Sequence, residues 1–282
     1  MPSVARKRTD SHGDFPERCL AYSWIEISPK KYSLERPEHC AMQARGETEI
    51  RYAVMSDIGR RERNEDAYLV DRVEGYHIFA VADGLGGHAC GDVASRTAVT
   101  VLAEVARKNL PDIEPPELII HAYNLINATI REYNHERRLD AGTTLSVAIV
   151  GESGRCWIGT VGDSRTHVIT PSSVWHTRDQ SYVQSLVDSG VITPSEAMHH
   201  PRKNILTQAL GLDARVQVDL DRVELAGAVL VISSDGLHDY VPESAIQKIV
   251  LANEPGTACR QLLAAARDAA STDNSTVIVA KM

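Results

Sequence analysis

FAVADGLGGHACGDVAS, residues 79–95, is the stretch from which the fold of this 282-residue chain is read. It opens inside an apolar run, residues 78–82, short and β-rich enough to predict a buried strand. The run stops at Asp83-Gly84, and Gly86-Gly87 follow. A strand end holds a carboxylate rigidly, and glycines let backbone carbonyls and water approach an ion beside it. Taken alone, an Asp-Gly pair reads more simply as a hairpin turn. The pattern recurs, however. Asp66, Asp163, Asp235 and Asp273 each stand where a strand is predicted to begin or end, the last three in Asp-Ser, Asp-Gly and Asp-Asn pairs. Each by itself is a turn former. Converging on one face, such carboxylates repel one another unless cations neutralise them. Carboxylate, carbonyl and water ligands select Mg²⁺ or Mn²⁺ and not Zn²⁺. Two such ions sharing a bridging carboxylate activate a water and clamp a phosphoryl group.

Outward from this stretch, the pattern of elements is strands, then helices, then strands. Strands are predicted at 50–56 and 67–71, separated by a dense polar loop, Arg60-Arg61-Glu62-Arg63-Asn64-Glu65-Asp66. Apolar residues at helical spacing predict helices over 89–108 and 116–138, which read as one layer packed on a sheet. Strands follow at 143–150 and 155–161, joined by the turn Gly151-Glu152-Ser153-Gly154. Another strand ends at Ile169, before a turn at 171–173. Residues 179–204 are polar and helix-turn-like, and suit an insertion over a site better than a core element. Strands at 216–220 and 228–233, helices at 242–252 and 256–271, and a last strand at 275–280 complete the chain.

Residues 1–46 are rich in Pro, Ser, Arg and Glu and predict a flexible extension. Trp24 and Ile25, in the apolar cluster at 20–27, are the anchors of a docking segment in the alternative reading. The compact domain is expected over 47–282. Hydrophobic residues make up 43% and charged residues 24%, which suits a globular chain, and the formal net charge of -8 disfavours nucleic-acid binding. Five scattered cysteines without CxxC spacing point to free thiols in a reducing compartment. Arg6-Lys7-Arg8 is not followed by an apolar segment, so no secretory signal is expected, and no run is long enough to span a bilayer. A cytoplasmic monomer without membrane contact is expected.

Six motifs occur in order: RERNEDAY (61–68), VADGLGGHACGDVAS (81–95), GTTLSVAIV (142–150), VGDSR (161–165), SSDGLHDYV (233–241) and TDNSTVIV (272–279). Through them the chain from residue 50 onward resembles the metal-dependent protein phosphatases of type 2C, in their bacterial form. The resemblance implies an α+β fold, a four-layer α-β-β-α sandwich of two stacked antiparallel sheets flanked by helix pairs. It implies two tightly bound Mn²⁺ or Mg²⁺ ions between the sheets, with a third, weaker one. Asp83 matches the bridging ligand, the Gly84 carbonyl joins one ion, and Asp235 and Asp273 complete the other's shell. Glu65 and Asp66 match the acidic pair that ligates or orients water around the ions. Arg61 matches the arginine that holds the substrate phosphate, and its planar fork suits that task. Asp163, with Asp239, matches the positions linked to the third ion. Residues 179–211 resemble the family's flap, which covers the site.

The activity implied is hydrolysis of phosphoserine and phosphothreonine in phosphoproteins, by a water bridging the two ions and in opposition to a serine/threonine kinase. The alternatives are an enzyme devoted to one regulatory phosphoprotein, of the anti-sigma-factor-antagonist type, and a catalytically silent phosphoprotein-binding module. Intact Asp83, Asp235 and Asp273 argue against the silent reading. The chain departs from the family at three places. Leu85 stands where many eukaryotic members carry a histidine thought to protonate the leaving group, and His88, three residues further on, is not assumed to replace it. Gln180 stands where relatives often show histidine, and His167 where an aromatic is commoner. His199-His200, without other ligands nearby, are expected to face solvent. No Gly-Lys-Ser/Thr follows the glycines of 84–91, so they are not a nucleotide loop.

Overall fold

The computed structural model describes residues 50–86 and 90–282. The extension at 1–46, with Trp24 and Ile25, and His88 lie outside the described residues. Within them the chain forms two antiparallel sheets. The first runs β2 (Asp66–Val73), β3 (Tyr76–Leu85), β5 (Leu145–Val150), β6 (Arg155–Val161) and β9 (Asp219–Glu224), with β4 (Gly142–Thr143) beside the end of β3. The second runs β1 (Arg51–Asp57), β11 (Ser275–Lys281), β10 (Val229–Ser233), β7 (Arg165–Ile169) and β8 (Val174–His176).

Strand β3 shows why the sheets stack. Its side chains alternate between two apolar environments, so the run is apolar throughout. Ile78, Ala80 and Ala82 face a core shared with α1 (Gly91–Asn109) and α2 (Pro115–Arg137). Phe79 and Val81 face the other way, onto Val168, Leu230, Ile232 and Ile278 of the second sheet. The second sheet repeats the device: Val229, Val231, Val277 and Val279 point outward beneath α6 (Glu243–Ala252) and α7 (Pro255–Asp268). Three apolar cores therefore separate four layers, helices, sheet, sheet, helices, as expected for the α+β sandwich.

Four local differences from the sequence reading have physical causes. The apolar run stops at Asp83 but the strand does not: β3 continues to Leu85, because Gly84 and Leu85 pair with Thr143 and Gly142. The strand expected at 216–220 starts at Asp219, since side chains capture the backbone of Gln217. Gln208 Oε1 accepts from its N–H, and Gln180 Nε2 and Gln208 Nε2 donate to its carbonyl. Strand β8 follows the turn at 171–173, closed by Thr170 N–H donating to the Ser173 carbonyl at 2.9 Å. The short helix α5 (Asp235–His238) occupies the Asp-Gly that reads as a turn. Between β8 and β9 the insertion carries α3 (Tyr182–Asp188) and α4 (Pro194–Met198), the latter opened by a Thr193–Glu196 capping box.

Candidate metal centre

The predicted site residues come from separate elements that end on one edge of the sandwich. There the chain passes between the sheets, through residues 58–65 from β1 to β2 and 162–164 from β6 to β7. Asp66 opens β2, Asp83 lies near the end of β3, Asp235 opens α5, and Asp273 precedes β11. Alternation along the strands puts Asp66 on the face of Tyr68 and Val70, and Asp83 on the face of Phe79 and Val81. Both carboxylates therefore point between the sheets. The packing there turns from apolar to polar as it nears them. Ser146 and Thr166 bond across the gap at 2.8 Å, and Thr144 and Ser164 at 2.7 Å.

Asp66 and Asp83 are directly paired across β2 and β3. Ser234 Oγ, from the other sheet, donates to Asp66 Oδ2 at 2.7 Å. Asp83 is fixed through its backbone: its N–H donates to Thr144 Oγ1 at 2.9 Å, and its carbonyl accepts from Thr143 Oγ1 at 2.9 Å and Thr144 N–H at 2.9 Å. Its carboxyl lies within hydrogen-bonding reach of Asp235. Two glycines make the packing possible. A Cβ on Gly84 would sit 2.2 Å from the Gly91 carbonyl oxygen, and one on Gly236 would sit 1.9 Å from that of Asn274.

Burial and mutual repulsion hold these acids towards their protonated forms. Asp66 is pushed up to about 6, chiefly by burial, although Thr276 and Ser234 hydrogen bonds favour its carboxylate. Burial, then Asp239 and Asp273, push Asp235 up to about 7. Burial raises Asp83 well above the usual carboxylate range, with Asp66, Asp235, Asp163 and Asp273 adding to it. Asp163 is raised likewise by burial and then by Asp235, Asp179 and Asp239. Glu65 is raised by burial and by Asp92. The buried oxygens Asp66 Oδ1 and Asp235 Oδ1 have no hydrogen-bond partner.

Those orphaned oxygens, in an all-oxygen set, fit a hard cation. Among the described residues no three His, Cys, Asp or Glu side chains form a ready-made cage around one point.

Arg61 stands at the mouth. Its Nη2 donates to Asp273 Oδ2 at 2.6 Å while the side chain remains 55% exposed. The Asp273 hydrogen bond raises its pKa against the effect of burial, and the charges of Asp273, Asp235 and Asp83 add to it. Of the arginines in this loop, Arg61 is the one ion-paired to the cluster among the described residues. Asn274 shapes the loop: its Oδ1 accepts from Glu65 N–H at 2.8 Å, and its Nδ2 donates to the carbonyls of Ile58 at 2.9 Å and Arg63 at 3.0 Å.

At the opposite rim, Asp163 and Asp239 stand under the insertion. Arg165 pairs bidentately with Asp179, both contacts at 2.7 Å. Gln180 Oε1 accepts from Gly162 N–H at 2.9 Å, and its own N–H donates to the Gly162 carbonyl at 2.9 Å. Lys203 Nζ lies 2.7 Å from Asp239 Oδ2. His199 is exposed as expected, whereas His200 is half-buried and packs on Tyr182. His167 is fully buried beside His176 and His238, away from the acids' hydrogen bonds.

The sequence reading assigned no role to Asn274, Ser234 or the Thr143-Thr144 pair, although each lies inside a quoted motif. The signal available was a polar residue inside a strand-end motif with no exposed face to occupy. Gln180 was read only as a departure from relatives, yet it ties the insertion to the Asp163 turn.

A two-sheet sandwich with a part-buried carboxylate cluster at one edge and an arginine at its mouth defines a class of protein, and comparison with known proteins agrees. The family model described as Protein phosphatase 2C matches residues 55–260. The serine/threonine phosphatase stp of Listeria monocytogenes is 36% identical over 208 residues, covering 69% of this chain and 81% of its own length. The crystal structure of Stp1 from Staphylococcus aureus superposes with a TM-score of 0.79 at 33% identity, covering 86% of this chain and 98% of that one. The catalytic domain of PstP, crystallised with two manganese ions, superposes with a TM-score of 0.73 at 32% identity, covering 82% and 97%. The chain belongs to the protein phosphatase 2C family.

Proposed function

We propose that this chain removes phosphate from phosphoserine and phosphothreonine in phosphoproteins, at the edge where Asp66, Asp83, Asp235 and Asp273 converge. The observation that carries the reading is the directly opposed Asp66–Asp83 pair, with the orphaned buried oxygens of Asp66 and Asp235, next to Arg61. Mn²⁺ or Mg²⁺ held by Asp83, the Gly84 carbonyl, Asp235 and Asp273, with Glu65 and Asp66 orienting water, would supply Lewis-acid charge and a water acidic enough to attack phosphorus.

The chain's own residues do the rest. Arg61, half-exposed on a loop pinned by Asn274, exchanges its bond to Asp273 for the substrate phosphate and orients it by its planar fork. Thr143 and Thr144 hold the Asp83 backbone, so its carboxylate is pre-positioned. Leu85 offers no proton to the leaving oxygen. A third, weaker cation held by Asp163 and Asp239 would supply an acidic water at that rim for the leaving group.

The opposing enzyme is a serine/threonine kinase, and the site of action is the cytoplasm. Buried free thiols at Cys156 and Cys259 accord with a reducing compartment. No helix among the described residues is long and apolar enough to cross a membrane. The test is phosphate release from a phosphothreonine peptide by the purified chain with Mn²⁺. Release that stops with chelator is expected; no release at any Mn²⁺ concentration contradicts the reading.

A further inference from the structure

Lys203 belongs to the insertion, four residues beyond His199, yet its ammonium reaches the rim of the acidic cluster. Nζ lies 2.7 Å from Asp239 Oδ2, with the two side chains 28% and 23% exposed. The same ammonium stands 5.2 Å from the centre of the Tyr240 ring, a second stabilising contact for a cation. Asp239 is one turn along from Asp235, its N–H donating to the Asp235 carbonyl at 3.0 Å. Its charge acts on Asp235, Asp163 and Arg165, so it joins the rim to the buried cluster.

The insertion is fastened at its base. Tyr182 N–H donates to the Ile205 carbonyl at 2.7 Å and Thr207 N–H to the Gln180 carbonyl at 2.8 Å, while Gln180 holds Gly162. Between these fastenings the insertion carries exposed Val191, Met198 and Ile205. Beyond the fastenings at Asp179 and Gln180, the insertion reaches the acidic cluster through the Lys203–Asp239 pair. A divalent ion bonded to Asp239 at the usual distance of about 2.1 Å would lie against that ammonium. Ammonium and ion then compete for the charge of one carboxylate.

We propose that Lys203 is the insertion's own cation for Asp239: closed over the site, it takes the carboxylate a third divalent ion needs, and lifting it frees Asp239 for that ion. Third-ion binding and closure are then opposed, and because linkage is reciprocal, each weakens the other by the same factor. The proposal rests on Asp163 and Asp239 being the ligands of the third ion. It makes Lys203 a positioning residue, acting through Asp239.

Equilibrium Mn²⁺ binding to the full chain tests it, by counting free Mn²⁺ in a titration of the wild type, Lys203→Met, Lys203→Arg and the double variant Lys203→Met/Asp239→Asn. Lys203→Met should bind its weakest Mn²⁺ on the order of tenfold more tightly. Lys203→Arg should behave as the wild type, and the gain should vanish in the double variant. Backbone amides of 182–205 should exchange faster in Lys203→Met, and in the wild type at high Mn²⁺. Lys203→Gln serves as a second variant should the methionine disturb folding. Equal weakest-site affinity in the wild type and both single uncharged variants overturns the proposal, as does a gain that survives Asp239→Asn. Failure of the phosphatase reading looks different: the wild type then lacks Mn²⁺-dependent turnover, whatever the isotherms show.

Discussion

Asp66 and Asp83 face each other directly across β2 and β3, on the side of the sheet that looks onto the second sheet. Like charges so placed destabilise a sheet. Facing side chains start about 5 Å apart, where two unit charges repel by about 3 kcal/mol at an effective dielectric of ~20. The fold tolerates the pair in two ways, by taking up protons or by taking up cations. The upward shifts of Asp66 and Asp83 describe the first. The orphaned oxygens of Asp66 and Asp235 describe the capacity for the second.

The metal-free chain should lose stability as pH rises from 5 to 8. Asp66 and Asp235 have folded pKa values of about 6 and about 7, above the usual carboxylate range. A carboxyl raised on folding contributes stability that is full below its unfolded pKa and lost as pH climbs through its folded pKa. Melting temperatures in chelator should therefore fall across that window, and saturating Mn²⁺ should reverse the fall at pH 8. A chelated protein melting higher at pH 8 than at pH 5.5 contradicts the assignment.

Arg61→Ala should reduce kcat/KM on a phosphopeptide by about 100-fold, the scale of a lost charge-assisted contact of ~3 kcal/mol. It should not weaken Mn²⁺ binding, because the change frees Asp273 from its ion pair. Lysine should restore only part of the activity, since it keeps the charge but not the fork. Steady-state kinetics beside a Mn²⁺ titration separate the two effects. Weaker metal binding in the alanine variant would place Arg61 in the structure of the cluster instead of at its mouth.

Asn274→Ala should cost about 2 kcal/mol of stability and lower kcat/KM with it. The substitution strands the Glu65 N–H and the carbonyls of Ile58 and Arg63, and groups left unsatisfied cost about 1–3 kcal/mol each where they stay buried. The loop that carries Arg61 then loses its template. Urea unfolding and kinetics on one preparation check this. Unchanged kinetics in a destabilised variant would mean that the loop keeps its shape without Asn274.

Removing residues 1–46 should leave hydrolysis of a small aryl phosphate within about twofold of the full chain, because every proposed site residue lies beyond them. An insoluble or inactive product would move the domain boundary towards the N-terminus.

What the sequence disclosed was whatever a strand's alternation or a local motif encodes. The run from Ile78 to Ala82 is apolar at every position because both faces are buried, and that legible fact carries the two-sheet architecture. The aspartates were legible because each sits in a short motif at a strand end. Helix α5 was not, since Asp235-Gly236 has the composition of a turn, and the close approach of Gly236 to the Asn274 carbonyl is set by the folded topology. The start of β9 was missed because side chains of Gln180 and Gln208, distant in sequence, decide where the ladder begins. The Lys203–Asp239 pair spans 36 residues and leaves no periodic trace. Contacts of that kind follow from the folded topology alone.

The central claim is that Asp83 is the carboxylate around which cations assemble. Replacing it with asparagine keeps the shape and the backbone bonds to Thr143 and Thr144 while removing the charge. Counting Mn²⁺ bound per chain and measuring turnover on a phosphothreonine peptide, for the wild type and Asp83→Asn, is the direct test. The account predicts a folded variant that has lost at least one tightly bound ion and whose turnover has fallen by more than 1000-fold, on the order of 4 kcal/mol of barrier. Full Mn²⁺ occupancy with near wild-type turnover in Asp83→Asn would contradict it.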